Sequence, residues 1–240
     1  MEETNLNGLR CFNGDCLELM GSMPDKSVDF ILTDIPYELD LNGGGGHGDF
    51  INRRLLRPRK ESAIYFVSHG IDYDRVFTEF IRVLKVVNVC VFCSNKQIGR
   101  IMTWWESKGY VATLLVWDKP NPMPLGNGNY INNLEFIVYI REKGATFNSL
   151  GYRLQQKTFH YTPPSKRIHE TEKPVGLLRH LVALHTKEGD LVFDPYAGSF
   201  STAVACFKEK RRFVGCEILE KYYAPAVKRL KLVTMEQVLF

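Results

Sequence analysis

Long hydrophobic runs are absent from this sequence of 240 residues, since no stretch approaches the roughly 20 apolar residues that a helix needs to cross a bilayer. Residues 1–5 are acidic and polar, whereas a secretory signal has basic residues followed by apolar ones. We therefore expect a cytoplasmic protein that has no membrane segment and undergoes no processing.

Charge of one sign is not in large excess either. The 31 lysines and arginines face 27 aspartates and glutamates, which leaves a formal charge of +4 and a pI near 8.7. This balance permits a polyanionic partner, but it fits enzymes with small substrates equally well. With 45% apolar and 24% charged residues, we expect one globular domain over residues 1–240 that buries a full core without metals or disulfides.

Cysteines are few, and their spacing does not suit a zinc site. The six lie mostly in apolar stretches, and we expect them to be reduced core residues. Cys90 and Cys93 have CxxC spacing, but no second pair follows at zinc spacing. An odd separation within a strand also directs the two side chains to opposite faces. The sequence therefore predicts no metal site.

Apolar β-rich segments alternate with segments of helical period, which is typical of a parallel sheet covered by helices on both faces. We predict a doubly wound α/β fold. The predicted strands are near residues 28–33, 87–93, 111–117, 134–140, 191–194 and 213–217. The predicted helices cover residues 73–84, 96–108, 174–185, 201–208 and 221–230. Three segments, 38–61, 119–133 and 142–172, stay unassigned, and loops this long are usually functional or disordered.

A turn of small residues, from Asp194 to Ser199, joins a predicted strand to a predicted helix. Such a turn presents backbone N–H groups and a helix N-terminus to a ligand. The next strand ends at Glu217, where α/β folds place the carboxylate that binds a ribose diol. A nicotinamide site would have GxGxxG here, but only Gly198 fills that frame, and Asp194 would repel a pyrophosphate. The loop favours S-adenosylmethionine, whose ammonium needs an acceptor; a plain strand-turn-helix connection is the alternative.

A second motif, Asp34-Ile35-Pro36-Tyr37, follows the first predicted strand at the carboxyl edge of the sheet, where open α/β sheets bind ligands. The exocyclic amine of adenine or cytosine is a poor nucleophile, because its lone pair is delocalised into the ring. Hydrogen-bond acceptors localise that pair, and Asp34 and the Ile35 carbonyl can supply two of them. Tyr37 can stack on a base taken out of the helix. The alternative is a strand followed by an Asx-Pro turn.

The two motifs, in this order, resemble the circularly permuted β-class of the DNA amino-methyltransferases that modify adenine N6 or cytosine N4. Segments 13–17, 116–124, 134–137 and 169–178 share the resemblance, which covers most of the chain. It implies a mostly parallel, Rossmann-like methyltransferase sheet with permuted motif order. The implied parts are a catalytic half at about residues 9–141, a small target-recognition insertion at about 142–172 and a cofactor-binding half at about 173–232.

The resemblance also implies a role for individual residues. Asp194 and Gly198 would hold the methionine end of S-adenosylmethionine, and Glu217 its ribose. Asp15 would bind the adenine amino group, and Ile218 would pack on the adenine face. The other implied cofactor residues are Cys16, Lys173, Tyr196, Ala197 and Ser199. The implied reaction is methyl transfer to an exocyclic amine of a flipped base.

Two positions depart from the family pattern. Ile35 stands where proline is usual, but Pro36 still pushes it toward extended geometry, and its carbonyl is retained. Phe200 stands where glycine is usual, which would be serious only if that residue needed positive φ. We expect Gly198 and Ser199 to form the tight turn alone. These departures make a protein that binds cofactor and DNA without catalysis a second hypothesis.

The aspartate of the tetrad bears on the target base. Cytosine enzymes of the family commonly have serine at the position of Asp34, so the resemblance favours adenine N6 over cytosine N4. Double-stranded DNA is the expected partner, and RNA or a free base is the alternative.

Two segments are candidates for DNA contact. Five cations in eight residues follow the tetrad, as phosphate contacts would require; a solvated charged loop is the alternative. They are Arg53, Arg54, Arg57, Arg59 and Lys60. Residues 152–161, including Lys157, mix aromatic, amide and basic side chains that can reach base edges, although a β-ribbon packed on the core is equally compatible. The small size of this recognition segment favours a homodimer.

Overall fold

The computed structural model describes residues 1–37, 71–122, 130–165, 167–169 and 171–236. These residues form one nine-stranded sheet flanked by helices. The strands are β1 (Glu2–Leu6), β2 (Leu9–Asn13), β3 (Phe30–Asp34), β4 (Asn88–Cys93), β5 (Val111–Asp118), β6 (Leu134–Arg141), β7 (Thr158–His160), β8 (Leu191–Asp194) and β9 (Arg212–Glu217). The helices are α1 (Cys16–Ser22), α2 (Tyr73–Val83), α3 (Ile98–Ser107), α4 (Val175–His185), α5 (Ser201–Lys208) and α6 (Glu220–Glu236), with a 3₁₀ turn at Tyr152–Gln155.

The strand order across the sheet is β1-β2-β9-β8-β3-β4-β6-β5-β7. The five strands from β2 to β4 are parallel to one another. On one side β1 is antiparallel to β2, and on the other β6 is antiparallel to both β4 and β5. The predicted mostly parallel α/β sheet is confirmed. Because β2, β3, β8 and β9 run in the same direction, their carboxyl ends lie at one edge.

Helices cover the sheet on both faces, and each face has its own core. Residues of α4, α5 and α6 pack in one cluster, and residues of α1, α2 and α3 pack in the other. All six residues of β4 are buried, as expected for a strand covered on both faces. Cys90 belongs to the first cluster and Cys93 to the second, which confirms that they point to opposite faces. All six cysteines are free and buried.

The predicted helices and strands are found with shifts of at most two residues at their ends, except that α6 continues six residues beyond its predicted end at residue 230, to Glu236. Helix α2 buries residues three and four apart, including Val76, Phe77 and Phe80, so its apolar period is that of one helix face. Gly109 follows the end of α3 with φ +87°, as a helix-ending glycine does. In the described part of the chain, no helix is long and apolar enough to cross a membrane.

The pattern did not predict β1, β2, α1 or β7. Strand β1 has no residue that is fully buried, and α1 spans only seven residues. Within segment 142–172, the described residues contribute the 3₁₀ turn and β7, which pairs in parallel with β5 at the edge of the main sheet. The Leu154 carbonyl oxygen lies 2.6 Å from Nε2 of His180 on α4. Strand β7 therefore extends the main sheet, and the role of this segment in target recognition stays a prediction.

Candidate active site

A cavity of about 410 Å³ lies at the carboxyl edge of the parallel strands. This volume falls within the range of small-molecule sites. The catalytic tetrad, Asp34 to Tyr37, lines it together with the small-residue turn from Asp194 to Ser199. The ten predicted cofactor residues all line it: Asp15, Cys16, Lys173, Asp194, Tyr196, Ala197, Gly198, Ser199, Glu217 and Ile218. Motifs distant in sequence therefore meet in one cavity.

Asp34 is the last residue of β3, and its two carboxylate oxygens differ. Oδ2 accepts a hydrogen bond of 2.6 Å from Nζ of Lys173. Oδ1 is shielded from solvent and has no hydrogen-bond partner among the described residues. Burial raises the pKa of Asp34, and the ammonium of Lys173 opposes that rise. Asp34 thus retains one carboxylate oxygen that no donor of the described residues occupies.

Gln97 holds the backbone of the tetrad. Its side chain is fully buried, and Nε2 donates to the Pro36 carbonyl at 3.0 Å and to the Tyr73 hydroxyl at 3.1 Å. Its Oε1 accepts from the backbone N–H and the hydroxyl of Ser94, at 3.0 and 2.9 Å. The sequence did not predict a role for Gln97, because an amide before a helix is usually solvated and nothing in the local pattern marks this one as buried.

Asp194, at the end of β8, is buried and bonded on both oxygens. Oδ1 accepts from the Thr33 hydroxyl at 2.8 Å and from the Tyr196 N–H at 3.2 Å, and Oδ2 accepts from the Thr202 hydroxyl at 2.7 Å. Burial raises the pKa of Asp194 to about 7, and the bonds from Thr202 and Thr33 oppose this rise. The carboxylate therefore joins β3, the turn and α5.

Glu217, at the end of β9, holds the same turn from the other side. Its Oε2 accepts from the Gly198 N–H at 3.0 Å, and its Oε1 accepts from the Leu219 N–H at 2.8 Å. Burial raises its pKa, while these two backbone N–H groups lower it. Because a carboxylate oxygen has a second lone pair, each oxygen can still accept a ligand hydroxyl.

Asp15 and Ile218 complete the wall beyond Glu217. Oδ1 of Asp15 caps α1 by accepting from the backbone N–H groups of Leu17 and Glu18, at 2.9 and 3.2 Å. Ile218 is 44% exposed, although it is apolar and lines the cavity. The next residue after Asp15, Cys16, is buried, and burial raises its thiol pKa to about 11.

Phe200 adopts the left-handed backbone conformation, with φ 54° and ψ 32°. Gly198 also has positive φ, at 51°. The expectation that Gly198 and Ser199 form the turn alone is therefore wrong, because the residue that replaces the usual glycine is itself left-handed. This conformation costs about 1–2 kcal/mol for a residue with a Cβ. The fully buried Phe200 ring packs edge-on against Phe213 and Tyr223, at 6.1 and 6.0 Å between centroids, and this packing offsets the cost.

His169, Thr171 and Tyr222 also line the cavity, and the sequence did not assign them individually. The His169 ring packs against the Tyr222 ring at a tilt of 60°, with 4.3 Å between the centroids, and its Nδ1 lies 3.0 Å from the Thr171 hydroxyl oxygen. Burial lowers the pKa of His169 to about 4, so its ring is neutral at pH 7. A Cβ at Gly198 would lie 3.7 Å from this ring. His169 thus packs against the cofactor turn. The sequence feature that could have identified it as a site residue is its position in the 169–178 motif.

Lys173 lines the cavity, but its ammonium is directed to the tetrad. The residue is 5% exposed and contacts Asp34 and Glu135, at 2.6 and 3.2 Å. Glu135 in turn pairs with Lys119 at 2.7 Å. We call Asp34, Lys173, Glu135 and Lys119 the ionic chain. The sequence associated Lys173 with the cofactor and did not predict its contact with Asp34.

The predicted DNA contacts are only partly within the described residues. The basic segment, with Arg53, Arg54, Arg57, Arg59 and Lys60, lies outside them. Lys157 is exposed and directly precedes β7 at the edge of the sheet. Its role remains a prediction. Within the described ranges, no group of three or more histidine, cysteine or acidic side chains is placed to hold a metal ion.

Known proteins resemble this chain over most of its length. A family model described as DNA methylase, for the N6 and N4 enzymes, matches residues 28–228. YubD of Escherichia coli K12, a protein named as a methylase, is 30% identical over 226 residues, which cover 93% of this chain and 91% of YubD.

Two solved structures share the fold. M1.HpyAVI in complex with SAM has a TM-score of 0.67 at 24% identity, covering 92% of this chain and 98% of that one. PvuII DNA methyltransferase, which is cytosine-N4-specific, has a TM-score of 0.72 at 14% identity, covering 96% of this chain and 92% of that one. These likenesses show a Rossmann-like methyltransferase fold. Since the family model spans most of the sequence, the chain belongs to the N6/N4 family of DNA methylases.

Proposed function

We propose that this protein transfers a methyl group from S-adenosylmethionine to adenine N6 in double-stranded DNA. One observation carries the proposal: the tetrad and the turn with Glu217 line the same cavity. A donor bound at the turn would therefore face an amine held at the tetrad. The crystal structure of M1.HpyAVI with SAM supports the choice of cofactor, because that protein shares the fold.

The residues of the cavity fit S-adenosylmethionine. Glu217 has lone pairs left for the ribose hydroxyls, and the exposed apolar face of Ile218 suits an adenine ring. We assign the adenine amino group to Asp15 and the methionine end to Asp194 and Gly198. Because Asp194 already accepts three protein hydrogen bonds, it acts by shaping the turn and by attracting the ligand ammonium through its charge. Cys16, Tyr196, Ala197 and Ser199 provide the remaining wall.

The tetrad supplies acceptors for the target amine. When bound, the cofactor offers an electrophilic methyl group on a sulfonium sulfur. Oδ1 of Asp34 accepts one amine hydrogen, and the Ile35 carbonyl accepts the other, so the nitrogen lone pair is directed at the methyl carbon. The amine nitrogen would bond to the methyl carbon as the C–S bond breaks and leaves its electron pair on sulfur. The nitrogen would then pass its proton to the Asp34 carboxylate, to which it is hydrogen-bonded. Tyr37 stacks on the flipped base, while Pro36 and its bond from Gln97 hold the backbone in place.

The choice of adenine N6 depends on Asp34, since serine is common at that position in the cytosine enzymes. Cytosine N4 remains the alternative, because the PvuII enzyme with this fold is cytosine-N4-specific. The tetrad precedes the cofactor turn in the chain, which supports the permuted β-class. For DNA contacts we propose the five cations of residues 53–60 and Lys157. We also propose a homodimer, which would enlarge a small recognition surface.

The test is methyl transfer by the purified protein. Radiolabelled S-adenosylmethionine is supplied with duplex DNA, RNA of the same sequence or free adenine, and the modified base is identified by mass spectrometry. We expect label in duplex DNA as N6-methyladenine, and none with Asp34→Ala. Label in N4-methylcytosine would reassign the base, and label in RNA would reassign the substrate. Cofactor binding without transfer to any substrate would favour the non-catalytic hypothesis.

A further inference from the structure

The ionic chain connects Asp34 to a buried lysine and a second carboxylate. We propose that Lys173, held by Glu135, sets the orientation and the charge of the Asp34 carboxylate, so that Lys173 and Glu135 are positioning residues for methyl transfer. This inference rests on the proposed function and deepens it. It assigns Lys173 to the catalytic side of the cavity rather than to the cofactor.

The ammonium of Lys173 is surrounded by oxygens from different parts of the fold. Nζ lies 2.6 Å from Asp34 on β3, 3.2 Å from Glu135 on β6 and 3.2 Å from the Thr171 carbonyl. The Tyr37 hydroxyl is 3.4 Å away. The three N–H groups of the ammonium donate to Asp34, the Thr171 carbonyl and the Tyr37 hydroxyl, while Glu135 pairs with it through charge. Lys173 is therefore a fixed group against which the tetrad is oriented.

The hydrogen bond from Lys173 gives the two Asp34 oxygens different roles. Oδ2 is engaged by the ammonium, whereas Oδ1 has no hydrogen-bond partner in the described ranges. A carboxylate held by one oxygen cannot turn freely, which leaves Oδ1 as its acceptor for an amine. The ammonium also favours the ionised carboxylate, the stronger acceptor. Without Lys173, burial would favour the protonated acid, whose hydroxyl is a donor.

Glu135 moderates the effect of Lys173. Its Oε2 faces Lys173 and its Oε1 faces Lys119, so the chain alternates in sign along its four members. With its ammonium shared between two carboxylates, Lys173 neutralises Asp34 less completely than it would alone. Charge on Glu135 opposes ionisation of Asp34, and charge on Lys173 promotes it. Removing Lys173 should therefore raise the pKa of Asp34, and removing the charge of Glu135 should lower it.

The other titratable groups near Asp34 are the same in every variant below, and among them the Tyr37 hydroxyl lowers the pKa of Asp34. Burial raises the thiol pKa of Cys93 to about 12, and burial raises the pKa of the Tyr37 hydroxyl, so both stay neutral at pH 7. Asp194 interacts with Asp34 from β8, and its pKa is about 7. Since Asp194 is present in every variant below, only Lys173 and Glu135 distinguish them.

The test measures the titration of Asp34 directly. Full-length protein is labelled with [4-¹³C]aspartate, and the Asp34 resonance is assigned by its loss in Asp34→Asn. We expect Lys173→Met to raise the titration midpoint by about 1–3 pH units, the effect of removing an opposite charge. Glu135→Gln should lower it by a smaller amount. Lys85→Met is the control, because it removes a lysine from an ion pair with Asp29 that lies outside the cavity; it should cause no shift.

The same variants are then followed by single-turnover methyl transfer across pH. The acid limb of the rate profile should move with the NMR midpoint, upward in Lys173→Met and downward in Glu135→Gln. A general packing defect would lower the rate at every pH without opposite shifts. If Lys173→Met does not fold, the midpoint and the rate profile of Glu135→Gln alone test the inference.

The inference would be overturned if the Asp34 midpoints stayed unchanged in the folded variants. It would also be overturned if the midpoints shifted while the acid limb of the rate profile did not move. Failure of the proposed function is a separate result. In that case the wild-type protein transfers no methyl group to any duplex, whereas the NMR titration still reports whether Lys173 and Glu135 control Asp34.

Discussion

Phe200 combines a left-handed backbone with a fully buried ring, and substitution can separate the two contributions. We compare Phe200→Gly with Phe200→Ala. Both lose the ring that packs against Phe213 and Tyr223, so both should be about 3–5 kcal/mol less stable than the wild type. They differ only in how well the new residue accepts φ 54°.

The sign of that difference is the prediction. In a helix interior alanine is more stable than glycine by about 0.8–1.0 kcal/mol. At a left-handed position the order reverses, because the alanine Cβ approaches the following carbonyl oxygen. We expect Phe200→Gly to be more stable than Phe200→Ala by about 1 kcal/mol. Ala203 lies in α5 three residues later, and there Ala203→Gly should destabilise the protein.

Urea unfolding followed by circular dichroism measures these differences, provided that the slopes of the transitions agree. The midpoint for Phe200→Gly should exceed that for Phe200→Ala. If Phe200→Ala were equally stable or more stable, Phe200 would have ordinary helical geometry in solution. The replacement of the usual glycine would then be harmless, because the residue at this position would not need positive φ.

The remaining predictions concern chemistry and binding. Asp34→Ala should reduce single-turnover methyl transfer by about 10²–10⁴-fold while calorimetry shows nearly unchanged cofactor affinity; wild-type turnover would make the tetrad a simple turn. Glu217→Ala should weaken S-adenosylmethionine binding by roughly 1.5–3 kcal/mol in calorimetry, because it removes the acceptor for the ribose hydroxyls and frees the Gly198 N–H. Unchanged affinity would contradict the assignment of Glu217 to the ribose. Replacing Arg57 and Lys60 by glutamine should weaken binding to all duplex sequences and reduce the salt slope by about one for each phosphate-binding cation that is removed; weaker binding to one sequence alone would indicate base contacts.

Much of the fold follows from local patterns in the sequence. The parallel strands in the middle of the sheet were predictable, because β3, β4 and β8 are short apolar runs between segments of helical period. Strand β1 was not, since its five residues pair at the sheet margin and none is fully buried. The antiparallel direction of β6 could not be predicted either. Apolar composition indicates a strand but carries no information about its direction.

The candidate site was predictable as a set of residues but not as a set of hydrogen bonds. Asp34, Asp194 and Glu217 were selected because strand ends at one sheet edge converge, and all three line the cavity. The bond between Lys173 and Asp34 joins residues 139 positions apart, and it depends on how the segment before α4 crosses the sheet edge. Likewise, a left-handed phenylalanine has no local signature, because its ring is accommodated by distant partners on β9 and α6.

The hydrogen bonds of the three carboxylates explain why the cofactor and catalytic functions should separate under mutation. Asp194 and Glu217 accept from protein donors on both oxygens, so each helps to build the turn that it lines. Removing either should alter the shape of the cofactor site as well as its charge. Asp34 has only Oδ2 engaged, and its other oxygen has no donor in the described part of the chain. Its removal should leave the turn intact and eliminate the acceptor, so that cofactor binding survives while transfer fails.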